Sequence, residues 1–198
     1  MLTDSIDNID EFRGLKIGGV ATNLLFIEGT GAVGVNSALP EWYNNMATGL
    51  MSGTIVWAEA AAAYKLYEVA PYMVDIRFGG APSKAIAINS RTWERLPEEV
   101  RNVIQNVSND YRDELARETV RISGLARHEF VEHGGAILPV TDQQRQSWAE
   151  NLPDLAGTWV RVMNEHGLPG QSILEDYMQI MRNNNCLLYT SPSPRDVE

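Results

Sequence analysis

The 198 residues contain one cysteine, Cys186, and three histidines. A lone thiol closes no internal disulfide, and this set offers no Cys/His spacing of the kind that holds zinc. No run approaches the roughly 18 consecutive apolar residues of a membrane span. The opening MLTDSIDNID also lacks the basic start and apolar stretch of a signal peptide. Basic residues are scarce, 16 Lys and Arg against 26 Asp and Glu, for a formal net charge of -10. The electrostatic footprint for nucleic acid or an anionic membrane surface is therefore missing, and both are set aside as partners. The glycine-rich start does not make GxGxxG, because Gly14, Gly18 and Gly19 have the wrong spacing. GxxxxGK(S/T), GxSxG and HExxH do not occur either, so dinucleotide, P-loop, serine-hydrolase and zincin chemistry lack their defining residues.

What is present suffices for a core. Hydrophobic residues make up 44% of the chain and charged residues 21%, enough for one large domain or two small ones. The first ninety residues alternate between short β-branched or glycine-rich runs and helical patterns. Gly14 to Val20 (GLKIGGV) is followed by an apolar segment, Ala21 to Thr30, that predicts a buried helix. Ala32 to Asn36 reads as a strand. Pro40 and Glu41 suit the first turn of a helix carrying Trp42, Met46 and Leu50. Thr54 to Trp57 (TIVW) predicts another strand, and the alanine-rich stretch from Glu59 through Tyr67 predicts a helix that stops before Pro71. Parallel neighbours need helical crossovers, so this alternation predicts an α/β sheet. Val74 to Phe78 and Lys84 to Asn89 are further strand candidates.

From Pro97 to about Glu132 the character changes. Val100, Val103, Ile104, Val107, Tyr111, Leu115, Ile122, Leu125 and Phe130 describe one amphipathic helix, roughly 50 Å long at 1.5 Å per residue. Gly124 is a weak point in it, and Gly134 with Gly135 ends it. Ala136 to Val140 reads as a strand, and Asp142 to His166 and Gln171 to Arg182 as helices. The tail from Cys186 to Asp196, CLLYTSPSPRD, continues no apolar period. It reads instead as the in-frame translation of a widely used transposase sequencing adapter. On that reading natural sequence stops near Asn185, residues 186–198 are an artefact, and Met1 is an internal methionine.

Three acids, Glu41, Glu59 and Glu68, lie where a general acid or base would work. None has an apparent partner in sequence. Glu59 follows the TIVW strand at its carboxyl end, the edge where open α/β sheets bind ligands; the bland alternative is a charge at the start of the next helix. His128 and His133 are five residues apart and do not share the i, i+4 face that chelation favours. They and His166 fit helix C-termini better. Trp57, at a strand end, is the aromatic residue placed to line a cleft, whereas Trp148 and Trp159 fit helix packing. No cofactor or metal is called for.

The order of segments resembles a known family. Phe12-Arg13-Gly14-Leu15-Lys16-Ile17, Gly31-Ala32-Val33, Pro40-Glu41-Trp42-Tyr43 and Gly49 through Gly53 come first. Lys65-Leu66-Tyr67-Glu68-Val69, Ile88-Asn89 and Trp93, Leu96, Pro97, Glu98 and Val100 follow. Together, over residues 11 to about 107, they resemble the DctP-type substrate-binding proteins of tripartite ATP-independent periplasmic (TRAP) transporters. The resemblance implies a periplasmic-binding-protein-like α/β fold of two domains joined by crossing strands and a long domain-spanning helix. It implies a small organic acid held in the cleft, delivery to membrane subunits and a periplasmic location. It also implies that most of the first domain is missing. Residues 1–90 would then be the second ligand-binding domain with its crossing strands, 91–135 the connecting helix and 136–185 a C-terminal helical segment.

The departures fall on the site. Where the family usually places an arginine that clamps the ligand carboxylate, this chain has Gly18, which offers neither fork nor charge. The usual G-x-x-D-G reads Gly49-Leu50-Met51-Ser52-Gly53, and Ile55, Val56 and Trp57 follow it, a more apolar wall. Arg77 is a replacement cation, and Asn36, with Asn23 as a weaker choice, supplies a polar group. The expected ligand-binding set is Gly18, Asn23, Asn36, Trp57, Glu59 and Arg77. Two other readings are kept: an α/β enzyme with Glu59 as general base, and a ligandless helical interaction protein built on the long helix.

Overall fold

The computed structural model describes residues 1–77 and 85–183, with the backbone alone at Ala21 and Thr22. The tail from Cys186, and Phe78 and Lys84 among the strand candidates, lie outside the described residues. The chain divides into two units, Met1–Thr141 and Asp142 onward.

In the first unit five short strands, β1 (Lys16–Gly19), β2 (Val33–Asn36), β3 (Gly53–Thr54), β4 (Tyr72–Asp75) and β5 (Ala136–Pro139), all pair in parallel. β1 lies between β2 and β3, with Ile17 opposite both Gly34 and Gly53, while β4 pairs with β5 from Tyr72 opposite Ala136 onward. The two sets are joined by the amino terminus. Leu2 bridges Gly53 on one side and Tyr72 on the other, antiparallel to both. Its N–H donates to the Tyr72 carbonyl at 2.7 Å, and the Thr54 N–H donates to the Met1 carbonyl at 2.9 Å. The resulting order is β2, β1, β3, residues 1–3, β4, β5.

Crossover segments are helical, as parallel pairing requires, but several are shorter or tighter than the periodicity predicts. After β1, Ala21–Ile27 is a 3-10 helix, not an α-helix. Leu39–Glu41 is a 3-10 turn leading into α1 (Trp42–Ala47). Leu50 falls beyond α1 and is exposed. The expected strand over TIVW ends at Thr54, and Trp57 instead N-caps α2 (Ala58–Ala63). The predicted helix through Tyr67 breaks at Lys65, which takes a left-handed conformation (φ 50°), and resumes as a 3-10 turn over Leu66–Glu68. β4 starts and stops two or three residues earlier than predicted.

The strand expected over Lys84 to Asn89 does not form in its described part. Residues 85–89 are exposed, and no strand among the described residues takes up their backbone groups, without which alternation alone fixes nothing. Asn89 instead caps α3 (Ser90–Arg95), accepting the Thr92 N–H at 3.2 Å.

α4 (Glu98–Glu132) matches its predicted limits and runs unbroken through Gly124. It opens with Glu98 and Glu99 against the positive end of the helix dipole. It closes on Gly134, whose φ of +84° suits the residue after a helix end. Its last turns pack on α2, where Ala60 and Ala61 are buried and small enough for close approach, and Ala126 and Phe130 are the buried residues of α4. Phe130 joins Tyr67 and Met73 in one cluster; Trp42, Met46, Met51, Ala61, Leu66 and Ala70 form another. Toward the amino end of α4, Val100, Val103, Val107 and Tyr111 are exposed.

The second unit contains α5 (Asp142–Glu150), α6 (Leu155–Glu165) and α7 (Gly170–Asn183). The sequence pattern reads α5 and α6 as one helix; they separate because Pro153 has no N–H to donate and Asp154 starts α6 by accepting the Gly157 N–H at 2.8 Å. Gly170 sets the α6–α7 contact, since a Cβ there would lie 2.8 Å from the Val160 carbonyl.

Candidate functional site

Because β1 to β5 all run the same way, their carboxyl ends share one edge, where open parallel sheets receive ligands. The six predicted site residues lie at or near those strand ends. Gly18 is in β1, Asn36 ends β2, and Trp57 lies three residues past β3. Arg77 lies two residues past β4. Asn23 and Glu59 sit in the first turns of the segments that leave β1 and β3. They are spread over sixty positions of sequence and lie along that edge from β2 to β4.

Their environments differ. Gly18 is buried, and the space beside it is filled rather than open: an added Cβ would lie 2.5 Å from Met51 Sδ and 2.8 Å from its Cε. Its carbonyl accepts the buried Thr54 hydroxyl at 2.9 Å and the Ile55 N–H at 2.9 Å. Trp57 (38% exposed) and Val20 (40%) present apolar surface. Asn36 is exposed, whereas Asn23 and Glu59 are half-buried. Ser37, next to Asn36, accepts the Trp42 indole N–H at its hydroxyl (3.0 Å) and carbonyl (3.1 Å), and its hydroxyl points to Met51 Sδ at 3.7 Å.

Arg77 has a left-handed backbone (φ 56°), uncommon for a side chain of its size. Its Nε donates to Asp75 at 2.7 Å. Asp75 also holds Arg127 of α4, so one carboxylate takes two guanidinium groups. The side chains are 67% exposed for Arg77, 13% for Asp75 and 30% for Arg127. Asp75 and Arg127 were invisible to sequence reasoning, because a pair 52 positions apart leaves no local spacing to read.

Two of the three candidate acids have structural partners. Glu41 accepts the Ala38 N–H at 3.1 Å. Glu68 accepts the Tyr43 hydroxyl at 2.7 Å, and this bond raises the phenol's pKa above its usual value. The histidines sit near helix ends. His133 Nδ1 lies 2.8 Å from the Glu129 carbonyl with its ring stacked on Tyr67, His166 Nδ1 lies 2.8 Å from the Val162 carbonyl, and His128 pairs with Glu132. Among the described residues no three His, Cys, Asp or Glu side chains come together as a metal requires. A cavity of about 150 Å³ opens near Leu2, Asp4, Ile6, Glu11 and Leu15, at the opposite, amino edge of the sheet. It is smaller than the usual small-molecule pocket, and its two carboxylates face no cation in the lining.

Residues 2–159 match the family model for bacterial extracellular solute-binding protein, family 7 (DctP). The chain is 25% identical over 142 residues to the C4-dicarboxylate-binding periplasmic protein DctP of Vibrio cholerae serotype O1, covering 71% of this chain and 42% of that protein. A TRAP periplasmic solute binding protein from Desulfovibrio salexigens, crystallised as an open complex, is similar with a TM-score of 0.76 and 16% identity, over 90% of this chain and 56% of that one. A TRAP solute binding protein from Rhodoferax ferrireducens in complex with copurified benzoate gives a TM-score of 0.69 and 23% identity, over 88% and 56%. The chain spans about half the length of these relatives. The mixed helix and parallel-sheet fold with its long helix is that of the periplasmic binding proteins of TRAP transporters.

Proposed function

The chain belongs to bacterial extracellular solute-binding protein family 7, and we propose that it forms the ligand-holding part of a periplasmic receptor that captures a small organic acid for the membrane subunits of a TRAP transporter. The observation that carries this reading is the parallel sheet whose carboxyl edge collects Asn36, Val20, Trp57 and Arg77, in a chain whose matched relatives are solute-binding proteins. In this reading Asn23, Asn36, Trp57 and Glu59 line one wall, Gly18 gives up its side-chain space to Met51, and Arg77 meets the anion. In this reading residues 1–90 belong to the ligand-binding domain with its crossing strands, 91–135 to the connecting helix and 136–185 to a C-terminal segment whose described helices are α5 to α7. Binding is followed by closure and not by chemistry. Glu41 and Glu68 support this, because both are held by structural partners.

Two relatives support a carboxylate as the ligand: one is a C4-dicarboxylate-binding protein and the other holds copurified benzoate. The test is thermal unfolding of the full-length protein against a panel of small organic acids. A bound acid at a hundred times its Kd adds about 2.7 kcal/mol of stability. Steady turnover of an acid without stabilisation by it would overturn the proposal.

A further inference from the structure

Building on the solute-binding reading, we propose that the site takes a solute with an apolar, ring-sized body and a single anionic group, in preference to a dicarboxylate or a polyhydroxylated acid. From β2 across β1 to β3 the strand ends read Asn36-Ser37, Gly19-Val20 and Ile55-Val56-Trp57. That stretch holds no cation. Its two hydroxyls are engaged inside the protein, Thr54 with the Gly18 carbonyl and Ser37 with Trp42 and Met51. A second carboxylate, or a row of sugar hydroxyls, laid on this edge would lose water and find little in return. Val20 and Trp57 offer exposed apolar surface instead, and an indole face stacks on an aromatic ring.

The charge at the far end of the edge fits one anion. Arg77 and Arg127 share the single carboxylate of Asp75, which leaves one positive charge in surplus, enough for one anion and short of a dianion. Arg77 commits only its Nε to Asp75, and its two amino groups make no hydrogen bond among the described residues. They form a fork suited to one carboxylate. The β3 and β4 ends are separated by the strand of residues 1–3, hence by two strand spacings, or about 9–10 Å. An aryl carboxylate with its ring on Trp57 and its anion toward Arg77 bridges that gap.

The experiment is calorimetric titration of the full-length protein with benzoate, phenylacetate, succinate and glucuronate. Benzoate or phenylacetate is expected to bind at least about ten-fold more tightly than succinate or glucuronate. Trp57→Ala is expected to weaken the aryl acid by about ten-fold, and Trp57→Phe by less than about three-fold, with both variants folded by circular dichroism. Equal or tighter binding of succinate or glucuronate overturns this inference and leaves the solute-binding reading standing. Absence of heat with all four overturns it as well. A broader solute screen then decides the parent reading, which stands on any stabilising solute and falls if none is found.

Discussion

Met51 occupies the place that a side chain at position 18 would need: a Cβ on Gly18 would meet Met51 Sδ at 2.5 Å. The two residues sit on different segments of the chain, yet they form one packing unit above β1. The family pattern that the chain resembles has an arginine at position 18; here Met51 fills the space beside Gly18. Gly18→Ala is expected to destabilise by about 1–3 kcal/mol through overpacking, and Met51→Ala by about 2–5 kcal/mol through the cavity it leaves. In urea titrations the double variant should cost less than the sum of the two, by about 0.5–3 kcal/mol. Strict additivity would mean that the contact does not exist in solution.

Asp75 carries two arginines of unequal worth. Arg77 is mostly exposed, so Arg77→Ala should change stability by no more than about 1 kcal/mol. Arg127 is more deeply set and ties α4 to the end of β4. Arg127→Ala and Asp75→Asn should each cost about 1–3 kcal/mol, below the 3–5 of a fully buried pair because Arg127 keeps some water. Chemical denaturation of the three variants checks the order, and an equal loss for Arg77→Ala and Arg127→Ala would contradict it.

The amine of Met1 donates to the Thr54 carbonyl at 3.0 Å inside the sheet, and burial lowers its pKa from the ordinary 8.0 to about 5. Between those values the unfolded chain binds the proton and the folded one does not. Stability of a chain starting at Met1 therefore rises as pH climbs from about 5 to 8, is greatest above 8 and least below 5. Acetylating the amine removes the titrating group and should flatten this part of the profile. Urea midpoints at several pH values, with and without the acetyl group, provide the measurement; an unchanged slope after acetylation would assign the dependence elsewhere.

Lys65 and Gly134 both follow helix ends with positive φ, 50° and 84° respectively. Lys65→Gly should relieve strain and stabilise by up to about 1 kcal/mol, whereas Gly134→Ala should destabilise by about 1–2 kcal/mol. Thermal melts of the two variants should move in opposite directions, and a shared direction would show that neither backbone is set as described.

Local physics made much of the fold legible. The 3.6-residue period from Val100 to Phe130, with Pro97 before it and Gly134 after it, defined α4 almost to the residue. Glycine-rich and β-branched runs separated by helical patterns gave the alternating crossovers and thus a parallel sheet. Short elements were harder to read. TIVW has the composition of a strand, but only Thr54 of it lies in β3; after the Ile55 N–H bonds the Gly18 carbonyl the chain turns at Trp57 into α2. KAIAIN alternates as a strand does, yet no strand among the described residues pairs with its described part.

By itself the sequence determined the class of fold, the long helix, the unfavourable setting for nucleic acid and the family, since all of these rest on composition, period and ordered short motifs. The tertiary structure alone decided which side chains share an environment. Asp75 with Arg127, Gly18 with Met51, and Tyr43 with Glu68 are joined across 25 to 52 positions. Their partnership depends on which strands lie side by side, and strand order is fixed by packing and hydrogen bonding over the whole sheet, which no local window contains.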